Sequence, residues 1–312
     1  MRRLFYIIVL LMACVKYSPL YASSQSQNNC AETKVIVIGH IYSVIERHYK
    51  SINGVDKVLR FPKVLNQLAE QIRQEHADAI IFTGDLTQYG TQQEFDVLNK
   101  FIAEINTPAY FVPGNHDVAS LDRKDTYLAN IGYLSKVVKI KGHSIFLLDS
   151  ASTATNKFTA RIGGGLSSQS YDLLTQGYRQ KNYCIQMAAM HQTIFDSRIW
   201  ERDTLGVYKI GPLPPPDLHP DDAVPAGRII AEEWNNKAKK LFEGNNIRYI
   251  FTGDYHSKRP SVLVTKSYTA FNTGFHFIES DSHIGKPDLA LSYFVLYLSS
   301  NVIGYLRRLG EK

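Results

Sequence analysis

The chain has 312 residues, 44% hydrophobic and 21% charged, which suits a globular protein with a sizeable core and excludes a disordered, collagen-like or repetitive one. Its formal charge is +6 at pH 7, but Arg2, Arg3 and Lys16 lie in a leader and leave +3 on the rest. That field is too mild to argue for nucleic acid, and no block of Lys and Arg interleaved with aromatics occurs.

Arg2 and Arg3 precede an apolar run, Leu4 to Val15, that is too short to cross a bilayer comfortably as a free helix, so residues 1–22 read as an export leader. Two processing routes are open. Leu20-Tyr21-Ala22 before Ser23 offers the small residue that signal peptidase prefers, which makes the product periplasmic or secreted. Leu11-Met12-Ala13-Cys14 resembles a bacterial lipobox, which would end the leader before Cys14 and leave a lipid there as membrane anchor. An uncleaved anchor is the bland alternative. Cys30 and Cys184 remain beyond the leader, so a disulfide is open; otherwise Cys184 is a buried residue of the apolar run Tyr183 to Met190. No CxxC or Cys/His spacing suggests structural zinc.

Regular patterning starts at Lys34. Lys34 to Ile38 reads as a strand, and Val64, Leu68 and Ile72 recur at helical spacing after Pro62. Ala79 to Thr83 is a second strand. Thr91 to Ile105 is a helix whose apolar face is Phe95, Leu98 and Ile102, opened by a capping box of Thr91 with Glu94. Strands follow at Ala109 to Val112 and Ile145 to Leu148, a helix at Leu166 to Gln176 stopped by Gly177, and a strand at Ile185 to Met190. Residues 196–228, with five prolines between Pro212 and Pro220, read as a long irregular loop able to act as a lid. A helix from Ile229 to Phe242, closed by Gly244, precedes strands at Ile247 to Thr252, Tyr293 to Leu298 and Val302 to Leu306. Strand–helix alternation followed by strands predicts a layered α/β domain with mixed sheets over 34–310.

What ends each strand carries the chemistry. Val35 to Ile38 runs into Gly39-His40-Ile41-Tyr42, Ile80 to Thr83 into Gly84-Asp85, and Phe111-Val112 into Pro113-Gly114-Asn115-His116-Asp117. Met187 to Met190 runs into His191, and Tyr249 to Thr252 into Gly253-Asp254-Tyr255-His256. Ligands bind at the carboxyl ends of strands in open α/β sheets. Carboxylate, imidazole and amide oxygen suit divalent manganese, zinc or iron, and a shared carboxylate can bridge two ions. Any one of these clusters alone is more often a turn residue; five in order are not.

The ordered set resembles the metallophosphoesterase (calcineurin-like phosphoesterase) superfamily, whose blocks are Asp-x-His, Gly-Asp, Gly-Asn-His-Asp/Glu, a lone His and Gly-His-x-His. The resemblance implies a four-layer α/β/β/α sandwich with two central mixed sheets, two divalent metal ions (manganese, zinc or iron) and hydrolysis of phosphate esters. It makes Asp85 the bridging ligand, gives Asn115 and His191 to one metal and His256 to the other, and makes His116 and Asp117 the candidate catalytic pair. A metal-bound hydroxide would attack phosphorus while His116 protonates the leaving oxygen. Two blocks depart from the pattern: His40-Ile41-Tyr42 stands for Asp-x-His, and Gly253-Asp254-Tyr255-His256 for Gly-His-x-His. The replacements are still ligand types, so His40 and Asp254 are expected to bind metal; Tyr42 either ligates or only hydrogen-bonds. After Gly84-Asp85 the chain reads Leu86-Thr87-Gln88, without the Asp and Arg of protein phosphatases, which favours small phosphate mono- or diesters. The alternative is an impaired relative that binds a phosphorylated ligand or an envelope partner. His48, His76 and His219 are expected at the surface, and His143 at a hairpin turn.

Overall fold

The computed structural model describes residues 30–43, 46–50, 56–152, 165–177, 184–192, 200–202, 208–210, 237–254, 261–265, 267–273, 292–299 and 302–308. In chain order the elements are β1 (Thr33–Ile38), β2 (Glu46–Lys50), β3 (Asp56–Arg60), α1 (Phe61–Gln74), β4 (Ala79–Phe82), α2 (Gln92–Ile105), β5 (Ala109–Phe111), α3 (Asn115–Val118), α4 (Leu121–Ile131), β6 (Lys136–Ile140) and β7 (His143–Leu147). They continue with α5 (Ser168–Gly177), β8 (Gln186–Gln192), β9 (Trp200–Arg202), β10 (Tyr208–Ile210), α6 (Lys239–Gly244), β11 (Ile247–Asp254), β12 (Ser261–Val264), β13 (Thr269–Asn272), β14 (Ser292–Leu298) and β15 (Val302–Arg308).

Two mixed sheets carry the architecture, one in the order β15-β14-β1-β4-β5 and one in the order β12-β13-β11-β8-β7-β6. In the first, β1, β4 and β5 run parallel, with antiparallel β14 and β15 added on one side. In the second, β7, β8, β11 and β13 run parallel between antiparallel β6 and β12.

Side chains alternate across each strand, and that alternation builds three apolar cores between four layers. Ile36, Ile38, Ile80 and Phe82 pack with Leu68 and Ile72 of α1 and Phe95 and Leu98 of α2. Their neighbours Val35, Val37 and Ile81 face the other sheet and meet Ile145, Leu147, Met187, Ala189 and Phe251. On that sheet's far side, Phe146, Ala188, Met190 and Ile250 pack with Leu174 of α5 and Phe242 of α6. The order is therefore α/β/β/α, as the resemblance implies. Each such fully buried side chain contributes roughly 1.5–3 kcal/mol.

Helix α2 starts as its capping box predicts, with Thr91 as N-cap and Glu94 closing the box. Several elements differ from the sequence reading. The β2–β3 hairpin, α4 and β6 were not expected. Residues 200–202 and 208–210 are not irregular: β9 and β10 pair antiparallel inside the stretch read as a loop. The helix expected from Ile229 is described only from residue 237, and it ends at Gly244 as predicted. His76 is exposed, whereas His143, read as a turn residue, is fully buried in β7. The leader, His219 and the remainder of the proline-rich stretch lie outside the described residues.

Cys30 and Cys184 form a disulfide, with Cα atoms 5.6 Å apart. It fastens the chain just before β1 to the chain just before β8. His143 Nε2 lies 3.2 Å from the Ala31 carbonyl, beside the same staple.

Candidate metal centre

Parallel strands place their carboxyl ends on one side of a sheet, and the residues at or just after the ends of β1, β4, β5 and β8 build the site. The backbone there is unusual. His40 (φ 52°), Tyr42 (φ 40°) and Asp85 (φ 50°) are all left-handed without being glycine. Such residues cost of order 1–3 kcal/mol each and persist only where surrounding contacts fix them. The fixing contacts cross from loop to loop: His40 N donates to Gly84 O (3.1 Å), Tyr42 N to Asp85 O (3.1 Å) and Ser43 N to Leu86 O (2.7 Å). Gly84 has φ +95°, and a Cβ built on it would lie 2.4 Å from His191 Nδ1, so only glycine lets β4 end this close to β8.

Asp85 is the hub. Its Oδ2 accepts from Tyr42 OH (2.8 Å) and lies 3.4 Å from His40 Nε2. Its Oδ1 accepts from His116 N (3.1 Å) and lies 3.3 Å from His191 Nε2. Asp85 is 2% exposed, and His40 and His191 are buried. Burial opposes ionisation of Asp85, but the imidazoles of His191, His116 and His40 and the His116 amide outweigh it and bring the carboxyl down to about 2.

His191 tests whether these residues suit a cation. Its Nδ1 lies 2.8 Å from the Thr83 carbonyl, which only accepts, so Nδ1 carries the hydrogen and donates. In the neutral ring the Nε2 lone pair then faces Asn115 Oδ1 (3.0 Å) and Asp85 Oδ1 (3.3 Å). Such a convergence in a buried place suits a cation, since imidazole, carboxylate and amide oxygen are ligands for borderline divalent ions. One ligand atom each from His40, Asp85 and His191 lies within 4.8 Å of the others. The donor set fits a metal ion, with Thr83 as the carbonyl that orients an imidazole ligand.

The structure thus brings together His40, Tyr42, Asp85, Asn115, His116 and His191. Asp254 is the last residue of β11 and pairs with Gln192, next to His191. His256, like Lys258, Arg259, His276 and His283, lies outside the described residues. Tyr42 meets the hub as a hydrogen-bond donor, and its ring packs edge-on against His116 with centroids 5.3 Å apart.

Asp117, the other member of the expected catalytic pair, is held by loop donors. It is fully buried; Oδ1 accepts from Thr87 N (2.9 Å) and Thr87 Oγ1 (2.7 Å), and Oδ2 from Gly114 N (2.9 Å) and Leu86 N (3.2 Å). Through these bonds it ties the loop after β4 to the one after β5. Burial, with the charge of Asp85, pushes its carboxyl up to about 6.

His116 is only partly buried. Its Nδ1 lies 2.9 Å from the Gln88 carbonyl and 3.1 Å from the Gln88 side-chain amide, and Arg123 Nη1 donates to the His116 carbonyl (3.2 Å). Gln88, Arg123 and Thr83 escaped the sequence reading: all three act through, or upon, main-chain carbonyls, which leave no residue-type signal.

The calcineurin-like phosphoesterase family model matches residues 33–258. The chain belongs to that family. It is similar to a 3′,5′-cyclic-nucleotide phosphodiesterase of Nostoc sp., 29% identical over 125 residues, which are 39% of this chain and 43% of that one. A probable glycerophosphodiester phosphodiesterase of Arcobacter nitrofigilis is 32% identical over 97 residues, 30% of this chain and 33% of that one. The chain therefore spans less than half the length of these relatives. A dimetal phosphatase from Danio rerio shares the fold with a TM-score of 0.53 at 12% identity, over 89% of this chain and 97% of that one. A purple acid phosphatase from yellow lupin (Lupinus luteus) does so with a TM-score of 0.53 at 11% identity, over 90% of this chain and 52% of that one. At such identities these two likenesses speak for the family fold alone.

Proposed function

We propose that the protein is an exported, metal-dependent hydrolase of phosphate esters, with diesters favoured over monoesters. The observation that carries this reading is the buried convergence of His40, Asp85, His191 and Asn115 with a partly exposed imidazole, His116, bonded to the same carboxylate through its amide. The two relatives carry the names of a phosphodiesterase and a probable phosphodiesterase, which supports the diester preference. The Cys30–Cys184 disulfide supports export, since such bonds persist in oxidising compartments. The leader supports it too, by either processing route.

His40, Asp85, His191 and Asn115 would hold the metal, with Asp254 and His256 completing a second position. Two divalent ions held there would supply positive charge for the phosphoryl oxygens and make a water a stronger nucleophile. The chain's own groups do the rest. Asp85, ionised well below neutrality, stays a carboxylate at working pH. With Nδ1 donating to the Gln88 carbonyl, His116 as an imidazolium would give its Nε2 proton to the departing oxygen and be left neutral. Tyr42 OH and His116 N hold the Asp85 carboxylate in one orientation. The altered first block still delivers an imidazole to the cluster, which favours an enzyme over an impaired binding protein.

The test is metal analysis together with hydrolysis of aryl phosphate mono- and diesters after addition of manganese, zinc or iron. The expected result is about two metal ions per chain and faster turnover of diesters. A protein that binds no metal after reconstitution and turns over neither ester refutes the proposal.

A further inference from the structure

Exposed apolar side chains are ordinary when scattered singly, so their position has to give them meaning. Among the described residues six large ones are exposed. Val262, Val264, Ile303 and Tyr305 lie on β12 and β15, the edge strands of the two large sheets, and owe their exposure to that place. Tyr89 (60% exposed) and Leu121 (79% exposed) have no such reason. Tyr89 stands on the loop after β4, Leu121 is the first residue of α4, and the two flank His116.

Printed contacts fix that placement. Gln88, next to Tyr89, puts its carbonyl 2.9 Å from His116 Nδ1. Tyr89 N donates to Glu94 Oε2 (3.0 Å), which pins its backbone. From the other side, Arg123 Nη1 donates to the His116 carbonyl (3.2 Å). The Arg123 stem lies so close to Gly90 that a Cβ built there would be 2.8 Å from Arg123 Cγ. The Tyr89-Gly90 turn and the first turn of α4 therefore meet, with His116 against both. The Gln88 amide and the Arg123 guanidinium are each engaged with His116. What Tyr89 and Leu121 add outward is an aromatic ring and an aliphatic side chain, and covering such carbon is favourable in proportion to its area.

The group that protonates a departing oxygen marks where the departing alcohol sits. We propose that Tyr89 and Leu121 form the leaving-group subsite, and that the substrate is a phosphate ester of an alcohol with an apolar body rather than of a sugar or other polyol. The assignment rests on the phosphoester reading, with His116 as the proton donor.

The experiment uses methyl phosphodiesters of phenol and of its 4-methyl, 4-ethyl, 4-propyl and 4-butyl derivatives. The alkyl group hardly alters the acidity of the phenol, so the series changes apolar area at nearly constant reactivity. Covering one methylene fully is worth about 4-fold, and half-covering it on an open rim about 2-fold. In manganese-loaded wild type, kcat/KM should therefore rise about 16-fold from phenyl to 4-butylphenyl. In the double variant Tyr89→Ser/Leu121→Ser that ratio should fall to within about 2-fold of unity. The ratio is internal to each protein, so a change in metal content cancels. Ile303→Ser, an exposed apolar change on β15, should keep the wild-type ratio. A flat wild-type series, a ratio that survives in the double variant, or equal flattening in Ile303→Ser overturns the proposal. The second readout needs no turnover: calorimetric affinity of the same proteins for phenylphosphonate and 4-butylphenylphosphonate, whose C–P bond is not hydrolysed. Wild type should bind the butyl compound about 16-fold more tightly, and the double variant should bind both alike. If wild type hydrolyses no ester yet shows this preference, the phosphoester reading fails and the apolar subsite stands. If it hydrolyses the esters without any preference, the subsite fails and the phosphoester reading stands.

Discussion

Replacing both Cys30 and Cys184 by alanine removes the staple before β1 and leaves no lone thiol. The bond closes a separation of 154 residues. Chain-entropy reasoning gives such a loop about 17 cal/mol/K, or about 5 kcal/mol at 25 °C, as the stabilisation it confers by restricting the unfolded chain. Realised values run lower, about 2–4 kcal/mol. The folded side should change little: β1 stays registered between β14 and β4, and His143 still meets Ala31. At about 2 °C per kcal/mol for a chain of this size, Tm should drop by about 4–8 °C. The assay is thermal and urea unfolding of wild type and double variant, with thiol titration of denatured, unreduced protein. Wild type should show no thiol from Cys30 or Cys184. Two such thiols in protein from an oxidising compartment, or a Tm shift below about 1 °C, would refute the reasoning and remove one support for export.

His116→Gln should lower kcat about 10²- to 10⁴-fold, the usual worth of a general acid, with metal content and Tm unchanged; metal loss instead would make His116 a ligand. Gly84→Ala places a methyl 2.4 Å from His191 Nδ1 at a left-handed φ, so metal affinity should collapse with activity, and calorimetric titration at wild-type affinity would contradict the close approach. Glu75 supplies a pH test. Burial raises its pKa, but hydrogen bonds from Lys34 and Tyr305 and the charges of Lys34 and Arg307 outweigh this and hold it below 4.5. A depressed folded pKa means stability present above about 4.5 and lost as pH falls through the folded value. The stability gap between wild type and Glu75→Gln, from urea midpoints, should therefore narrow on acidification below pH 4.5; parallel curves would count against it.

The centre was legible because each ligand type follows an apolar strand directly. Strands such as Ile80 to Phe82 announce themselves by composition, and parallel ones must end on one side. The capping box at Thr91 and Glu94 was legible because its spacing is local. What escaped was non-local or carried by backbone. Lys136 to Ile140 has three β-branched residues in five but is short, and its pairing with β7 fixes it as a strand; α4 has a weak apolar face with only Tyr127 buried. The donors around Asp117 were not legible, because Leu86 and Thr87 lie about thirty positions earlier. His143 looked like a turn residue because Gly142 precedes it; its burial depends on a chain end that only the fold brings near.

The left-handed backbone at His40, Tyr42 and Asp85 sets evolutionary pressures against each other. Glycine at any of the three would relieve strain, and at Tyr42 or His40 it would also remove a buried polar group. Selection for thermal tolerance alone should therefore erode this corner first, while the three cores, where nearly every change costs stability, hold still. A library enriched for heat resistance without a turnover screen should accumulate glycine or asparagine at these positions and return sturdier molecules stripped of their chemistry.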